Sequence, residues 1–221
     1  MMMFDQTANA ASHMDQIYRF QRHIYDFTRK PYLLGRDKLI SELAVPDNGH
    51  VLEIACGTGR NLISAARTYP NGQFYGFDVS REMLETAAAS IEHSGFRHCV
   101  RLALADAVEF DGEHVFGQKQ FDRIFISYAL SMIPQWRKIL QQAVKSLAPG
   151  GSLHIVDFHH QQKMPSWFRG GFLAWLNRFS VKPRIQLKSY VEYLTEDDAL
   201  TLRFESLYND YACYAVLTRG K

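Results

Sequence analysis

The 221-residue chain predicts an α/β protein: a doubly wound, seven-stranded sheet with a C-terminal antiparallel hairpin and an N-terminal helical cap. Three observations carry this. Short apolar runs of strand length alternate with amphipathic helical stretches, as in a sheet covered by helices on both faces. The first run, Val51 to Ile54, flows into the turn Ala55-Cys56-Gly57-Thr58-Gly59, and a helix follows. The chain then closes on two strand-like segments joined by Asn209-Asp210, with no helix between them.

Residues 1–13 predict a flexible tail, since Met1 to Ser12 has neither the basic region nor the apolar core of a signal peptide. Residues 14–45 predict cap helices. On a helical wheel Met14, Ile17, Tyr18, Gln21, Ile24, Tyr25 and Thr28 share one face, and Arg22 and Arg29 flank the tyrosines. One reading is a helix that covers the sheet with its apolar stripe and leaves its arginines in solvent. The other is a binding helix, whose tyrosine rings face an amine that becomes a permanent cation while arginine holds a carboxylate or phosphate beside it.

Val51, Leu52 and Ile54 then suit a strand buried on both faces, and Gly57 and Gly59 let backbone N–H groups approach a ligand at the start of the helix Asn61 to Tyr69. A second strand, Gln73 to Phe77, ends in Asp78, about 20 residues past the loop, where an acid can take both ribose hydroxyls. The helix Arg81 to Glu92 leads to a third strand, Val100 to Leu104, ending in Asp106-Ala107. A fourth, Asp122 to Ser127, precedes a helix and the turn Ala148-Pro149-Gly150-Gly151, and a fifth spans Ser152 to Phe158. Phe204 to Tyr208 and Cys213 to Thr218 form the hairpin. This order points to a nucleoside cofactor at the carboxyl ends of the strands. A nicotinamide fingerprint would place a third glycine at position 62, where Leu62 stands, and no second domain remains for a hydride acceptor.

The acidic residue in the loop strand and the terminal hairpin resemble the class I S-adenosylmethionine-dependent methyltransferases, whose sheet is Rossmann-like. Alanine stands at position 55, where that loop usually has glycine. The resemblance implies S-adenosylmethionine as cofactor, leaving as S-adenosylhomocysteine. It would lie against Glu53, Ala55, Gly57, Gly59, Asp78, Val79, Asp106, Ala107 and Ser127: Glu53 and the glycine backbone at the methionine part, Asp78 at the ribose, Asp106 with Ala107 at the adenine edge. Ser127 and Tyr128 would line the boundary with the acceptor. For Asp78 and Asp106 the plainer alternative is a helix cap.

The pattern YRxQRxIYDxTRKxYLLGRD, present as Tyr18 to Asp37, together with Ser127 to Pro134 and Trp167 to Arg184, closely resembles the bacterial diacylglyceryl-homoserine N-methyltransferases. That family makes betaine lipids by three methylations of one amine. The resemblance implies a lipid substrate at the membrane surface and pairing with an upstream aminocarboxypropyl-transferring enzyme. Tyr18, Tyr25, Tyr128 and His160 become catalytic candidates, with His159 as an alternative base, and Arg22, Arg29 and Tyr32 candidates for binding the headgroup.

Composition sets the remaining bounds. The net charge of +2 gives no global attraction for nucleic acid, and no RNA-binding module is recognised. Cys56, Cys99 and Cys213 form no CxxC pair, which fits a reducing cytosol. Among nine histidines only His159 and His160 are adjacent, and consecutive strand residues face opposite ways, so no metal is expected. The apolar stretch Ile124 to Ile133 is too short to span a bilayer. In contrast, residues 159–188 predict a basic aromatic insertion: between Asp157 and Glu192 there is no acid, whereas Lys163, Arg169, Arg178, Lys182, Arg184 and Lys188 interleave with Trp167, Phe168, Phe172, Trp175 and Phe179. Such a mixture either dips into an anionic bilayer or fills an internal pocket behind a solvated cationic rim. A cytoplasmic protein, peripheral on the inner membrane face, is the expectation. Competing readings are a phosphatidylethanolamine N-methyltransferase, a soluble small-molecule N-methyltransferase, and a cofactor-binding or membrane-docking protein without catalysis.

Overall fold

The computed structural model describes residues 33–196 and 199–221. The predicted tail and most of the cap, with Tyr18, Arg22, Tyr25, Arg29 and Tyr32, lie outside the described residues. The strands are β1 (His50–Ile54), β2 (Gln73–Asp78), β3 (Val100–Leu104), β4 (Phe121–Ser127), β5 (Leu147–Phe158), β6 (Leu200–Leu207) and β7 (Ala212–Arg219). The described helices are α1 (Arg36–Ser41), α2 (Arg60–Thr68), α3 (Arg81–His93), α4 (Gly112–Phe116), α5 (Trp136–Lys145), α6 (Ser166–Arg178) and α7 (Leu187–Tyr193).

All seven strands form one sheet in the order β3-β2-β1-β4-β5-β7-β6. The first five are parallel, with β1 between β2 and β4, so the strand order reverses beside β1 and opens a crevice at the carboxyl ends there. Antiparallel β7 pairs with β5 and β6, giving the expected hairpin. Its turn is longer than an Asn-Asp pair suggests: Leu207 pairs with Ala212 across Tyr208 to Tyr211, and Tyr208, Asn209 and Asp210 all have left-handed backbones, φ 52°, 56° and 64°.

Alternation along the strands divides the core. Val51, Phe125 and Val156 face α1, α2, α3 and α6, which contribute Leu39, Leu62, Ala87 and Leu176. Leu52, Ile124 and Ile155 face α5 and α7, which contribute Ile139, Leu140 and Val191. Among the described residues no helix is long and apolar enough to cross a membrane.

One expectation changes. The predicted turn at Ala148-Pro149-Gly150-Gly151 is strand: β5 starts at Leu147, opposite Phe121, and the register shifts between Phe121 and Arg123. The glycines serve a bulge, since a Cβ at Gly151 would sit 2.8 Å from the Ala148 carbonyl oxygen. Within the predicted cap, α1 is one short helix entered through Gly35 at φ 88°, where a Cβ would meet Leu207 and Val156 at 3.0 and 3.1 Å.

Candidate functional site

Glu53 is the fourth residue of β1 and only 1% exposed. Asn61, in the first turn of α2, donates from Nδ2 to its Oε1 at 2.7 Å. Its other oxygen, Oε2, is buried with no hydrogen-bond partner among the described residues. Burial pushes the Glu53 carboxyl up to about 8, with the negative Asp78 adding to the rise and Asn61 opposing it. A buried acid with one idle oxygen, at the carboxyl end of the central strand, fits a ligand that brings a positive charge.

The turn that follows holds Ala55, Gly57 and Gly59 with left-handed backbones, φ 57°, 53° and 73°. At Ala55 that conformation costs about 1 kcal/mol that glycine would not incur. The two glycines differ in purpose. A Cβ at Gly59 would lie 3.1 Å from the Ala87 Cβ, so this position lets α3 pack. A Cβ at Gly57 would meet nothing within 4 Å, which leaves open space for a ligand to approach the backbone.

Asp78 ends β2 and fixes this turn from outside: Oδ2 accepts from Gly57 N at 2.9 Å and Oδ1 from Ser80 N at 3.0 Å. Burial raises its pKa and the backbone donors pull it back. Each oxygen keeps a lone pair for a hydroxyl donor. Beyond it, Val79 and Leu104 expose 46% and 51% of their surface at the ends of β2 and β3, an apolar ledge suited to a flat base. Asp106 is exposed, and its Oδ1 accepts from Val108 N at 2.8 Å, so this oxygen closes a turn and caps no helix. Ala107 packs against the second core cluster.

Ser127 ends β4, across the crevice, and its Oγ is buried without a hydrogen-bond partner among the described residues. Tyr128 is a post. It is 3% exposed, has φ 56°, and donates its hydroxyl to the Leu34 carbonyl at 2.5 Å. Burial, reinforced by Asp157, pushes its pKa well above the phenol range, so this hydroxyl keeps its proton and is unsuited to act as a base. The bond ties the turn before α1 to the sheet and brings Arg36 toward the crevice. Arg36 is half-buried, and its Nε donates to the Leu33 carbonyl, while its Nη groups bond no described residue. Burial and the nearby Arg60 cation lower its pKa, while Tyr128, Asp37 and Glu53 oppose the fall.

His159 and His160 follow β5, with ring centroids 4.4 Å apart, and His159 lies 5.7 Å from Phe204 of β6. Burial first, then the neighbouring His160, Lys188 and Lys163, depress His159 to about 4, with Asp210 opposing. The pair therefore belongs to the β6 side of the sheet, among Lys188, Lys163 and Asp210, rather than to the crevice beside Glu53. Asp157, which no sequence motif marks, is fully buried; its oxygens accept from Ser131 N at 3.0 Å and Phe158 N at 2.7 Å. It clamps the segment after Tyr128, which Arg184 also holds through the Leu130 and Ile133 carbonyls at 2.8 and 2.9 Å. Sequence reasoning also misses Asn61, Arg36 and Leu104. Only a polar residue eight positions after Glu53 and a Gly-Arg-Asp helix start hint at the first two.

Between Tyr128 and α6 lies a narrow apolar cleft, lined by Leu33, Tyr128, Phe158, Leu176, Phe179 and Val181 among others, with free space near the size of about one water. Phe168, Phe172 and Leu176 form the inner side of α6; Phe172 packs on Phe158 at 5.7 Å and on Tyr211 at 5.0 Å. Trp167 points away, 78% exposed. The aromatic insertion is thus divided between the two sequence readings, part core and part surface.

A family model described as a methyltransferase domain matches residues 46–194, which contain both walls of the crevice. Among curated relatives, the demethylmenaquinone methyltransferase of Anoxybacillus flavithermus is 26% identical over 195 residues, spanning 86% of this chain and 75% of that one. Among solved structures, the plantazolicin methyltransferase BpumL, in complex with a triazolic analog and S-adenosylhomocysteine, superposes with a TM-score of 0.70 at 13% identity, over 99% of this chain and 100% of that one. A Haemonchus contortus phospholethanolamine N-methyltransferase, in complex with phosphomonomethylethanolamine and S-adenosylhomocysteine, gives 0.65 at 16% identity, over 84% of this chain and 52% of its own.

Proposed function

The chain belongs to the methyltransferase domain family, and from that premise we propose that it methylates the amine of a lipid headgroup, diacylglyceryl-homoserine, to yield the trimethylated betaine lipid. S-adenosylmethionine is the methyl donor. The observation that carries its placement is the idle, buried Oε2 of Glu53 beside the open backbone at Gly57. Glu53 would hold the ammonium of its methionine part, Arg36 the carboxylate, Asp78 the ribose, and Val79 with Leu104 the base. When bound, the sulfonium supplies an electrophilic methyl group and departs as a neutral thioether.

The rest is the work of this chain. An in-line displacement needs aligned atoms and little water, and the Phe158, Leu176 and Phe179 side chains make a dry wall next to the crevice. The attacking amine must lose a proton. An ammonium beside a sulfonium in a poorly solvated site already releases one more readily, so no dedicated base is required. Tyr18 and Tyr25 would frame the nascent cation, and Arg22 and Arg29 the headgroup carboxylate, as the likeness of Tyr18 to Asp37 to lipid-methylating enzymes implies.

A second reading, methylation of a quinone ring, is favoured by the demethylmenaquinone-methylating relatives. Both acceptors carry apolar tails. Incubation with methyl-labelled cofactor and each acceptor in turn, followed by mass spectrometry, separates them. Products heavier by one, two and three methyl groups on the homoserine lipid are expected; label on the quinone alone would replace the first reading with the second.

A further inference from the structure

Helix α6 carries apolar residues around most of its circumference. Phe168, Phe172 and Leu176 are spaced by four and face the core, whereas Trp167 and Leu173 leave that side, 78% and 37% exposed. A helix with one apolar flank on its own protein and another exposed has no partner for that second flank among the described residues. Gly170 and Gly171 sit mid-helix, and a Cβ added at either would meet nothing within 4 Å. Neither close packing nor propensity explains them, and each weakens the helix by about 1 kcal/mol relative to alanine. Ile185, in the turn after the helix, is 66% exposed.

The charges around this surface are of one sign. From Phe158 to Val191 there is no Asp or Glu. Arg184 is committed to backbone carbonyls, Lys163 lies 4.0 Å from Asp210, and Lys188 lies 3.7 Å from Glu192. Arg169, Arg178 and Lys182 form no ion pair among the described residues. Exposed indole and aliphatic side chains among unpaired cations, with acids excluded, match the interfacial region of an anionic bilayer: the ring sits at the headgroup level and the cations meet lipid phosphates. A protein partner would need no such exclusion of acids, and a nucleic acid would offer nothing for Leu173 and Ile185.

We propose that α6 and the turn after it dock this protein on anionic lipid membranes through Trp167, Leu173 and Ile185, with Arg169, Arg178 and Lys182 holding the headgroups. The inner side of the same helix walls the Tyr128 cleft, so docking brings that cleft to the bilayer, where an apolar-tailed acceptor resides. The proposal rests on the reading of a lipid-borne acceptor.

The test uses the full chain with vesicles of phosphatidylglycerol or of phosphatidylcholine alone, read by sedimentation and by the tryptophan emission shift. Binding to phosphatidylglycerol only is expected, with a blue shift that Trp167→Ala removes. Each of Arg169→Gln, Arg178→Gln and Lys182→Gln should lower partitioning about fivefold, and high salt should act likewise. Calorimetric binding of S-adenosylhomocysteine should be unchanged in every variant, which shows that the fold is kept. Failure of the wild-type chain to sediment with phosphatidylglycerol, equal sedimentation of the variants, or preferential capture of RNA would overturn docking. Methylation of detergent-dispersed acceptor with no vesicle binding would sink docking and leave the lipid reading intact. Vesicle binding with neither acceptor methylated would do the reverse.

Discussion

Glu53 is an acid whose proton is held by its surroundings, and that makes it a reporter. Its carboxyl is pushed up to about 8, against an ordinary 4.5, because burial removes water and the Asp78 charge lies nearby. A ligand ammonium arriving there would lower that value, so binding at pH 7 to 8 should expel a proton. Calorimetry of S-adenosylhomocysteine in buffers of different ionisation enthalpy reads this directly: a buffer-dependent heat is expected for the wild type and a buffer-independent one for Glu53→Gln. Arg36 makes a complementary prediction. Replacement by Ala should weaken S-adenosylhomocysteine by about tenfold to a hundredfold, as for loss of a charge-assisted pair, and leave methylthioadenosine, which lacks the amino-acid end, unaffected. Equal weakening of both ligands would place Arg36 outside the amino-acid subsite. At this scale the sequence is legible where chemistry is local: Glu53, Gly57 and Asp78 sit in one strand–turn–helix unit and at the end of its neighbour. Arg36 is not legible, because what brings it to the crevice is the hydroxyl of Tyr128, 92 positions away, bonded to Leu34.

The turn between β1 and α2 contains two glycines with similar backbones and opposite neighbours, and substitution should separate them. Gly57→Ala faces open space but a φ of 53°, so it should lower stability by about 1 kcal/mol while obstructing the cofactor. Gly59→Val meets Ala87 at 3.1 Å before its extra methyls are counted, so the main loss should be in melting temperature. Thermal melts with and without S-adenosylhomocysteine decide the matter, and the prediction fails if Gly59→Val melts like the wild type. Elements with strong period or punctuation are legible from sequence: β1, β2, β3 and the first helix after the glycine turn shift by no more than a residue or two from expectation. The bulge of β5 reads as a turn because glycine and proline signal both, and only the opposed register of β4 distinguishes them. The two roles of α6 are equally hidden, since composition does not say which aromatics the sheet will claim.

Over the whole molecule, buried titratable groups set opposing slopes. Glu53 at about 8 and Asp157 at about 6 bind protons more tightly than in the unfolded chain, so their contribution is complete below the ordinary carboxylate range and is lost as pH rises to 8. His154, held between Ser152 Oγ at 2.8 Å and Tyr214 Oη at 2.7 Å, is depressed to about 3, chiefly by burial. It refuses a proton that the unfolded chain accepts, so its contribution is present above pH 6.5 and fades as pH falls below that. Below pH 6.5 the acids and the imidazole therefore pull against each other, whereas between 6.5 and 8 Glu53 acts alone among these three. The cofactor-free protein should lose stability steadily across that upper window, by about 1.4 kcal/mol per pH unit at most, in urea titrations. Glu53→Gln should flatten the slope there, and His154→Gln should extend stability to lower pH. The three thiols give this molecule a built-in stopwatch. Cys99 lies before an edge strand, Cys56 in the central turn and Cys213 in β7, and all are buried. An alkylating reagent reaches each only when its own region breathes, so mass spectrometry of labelled peptides would order how often the margin, the middle and the hairpin side of the sheet open, without any engineered probe.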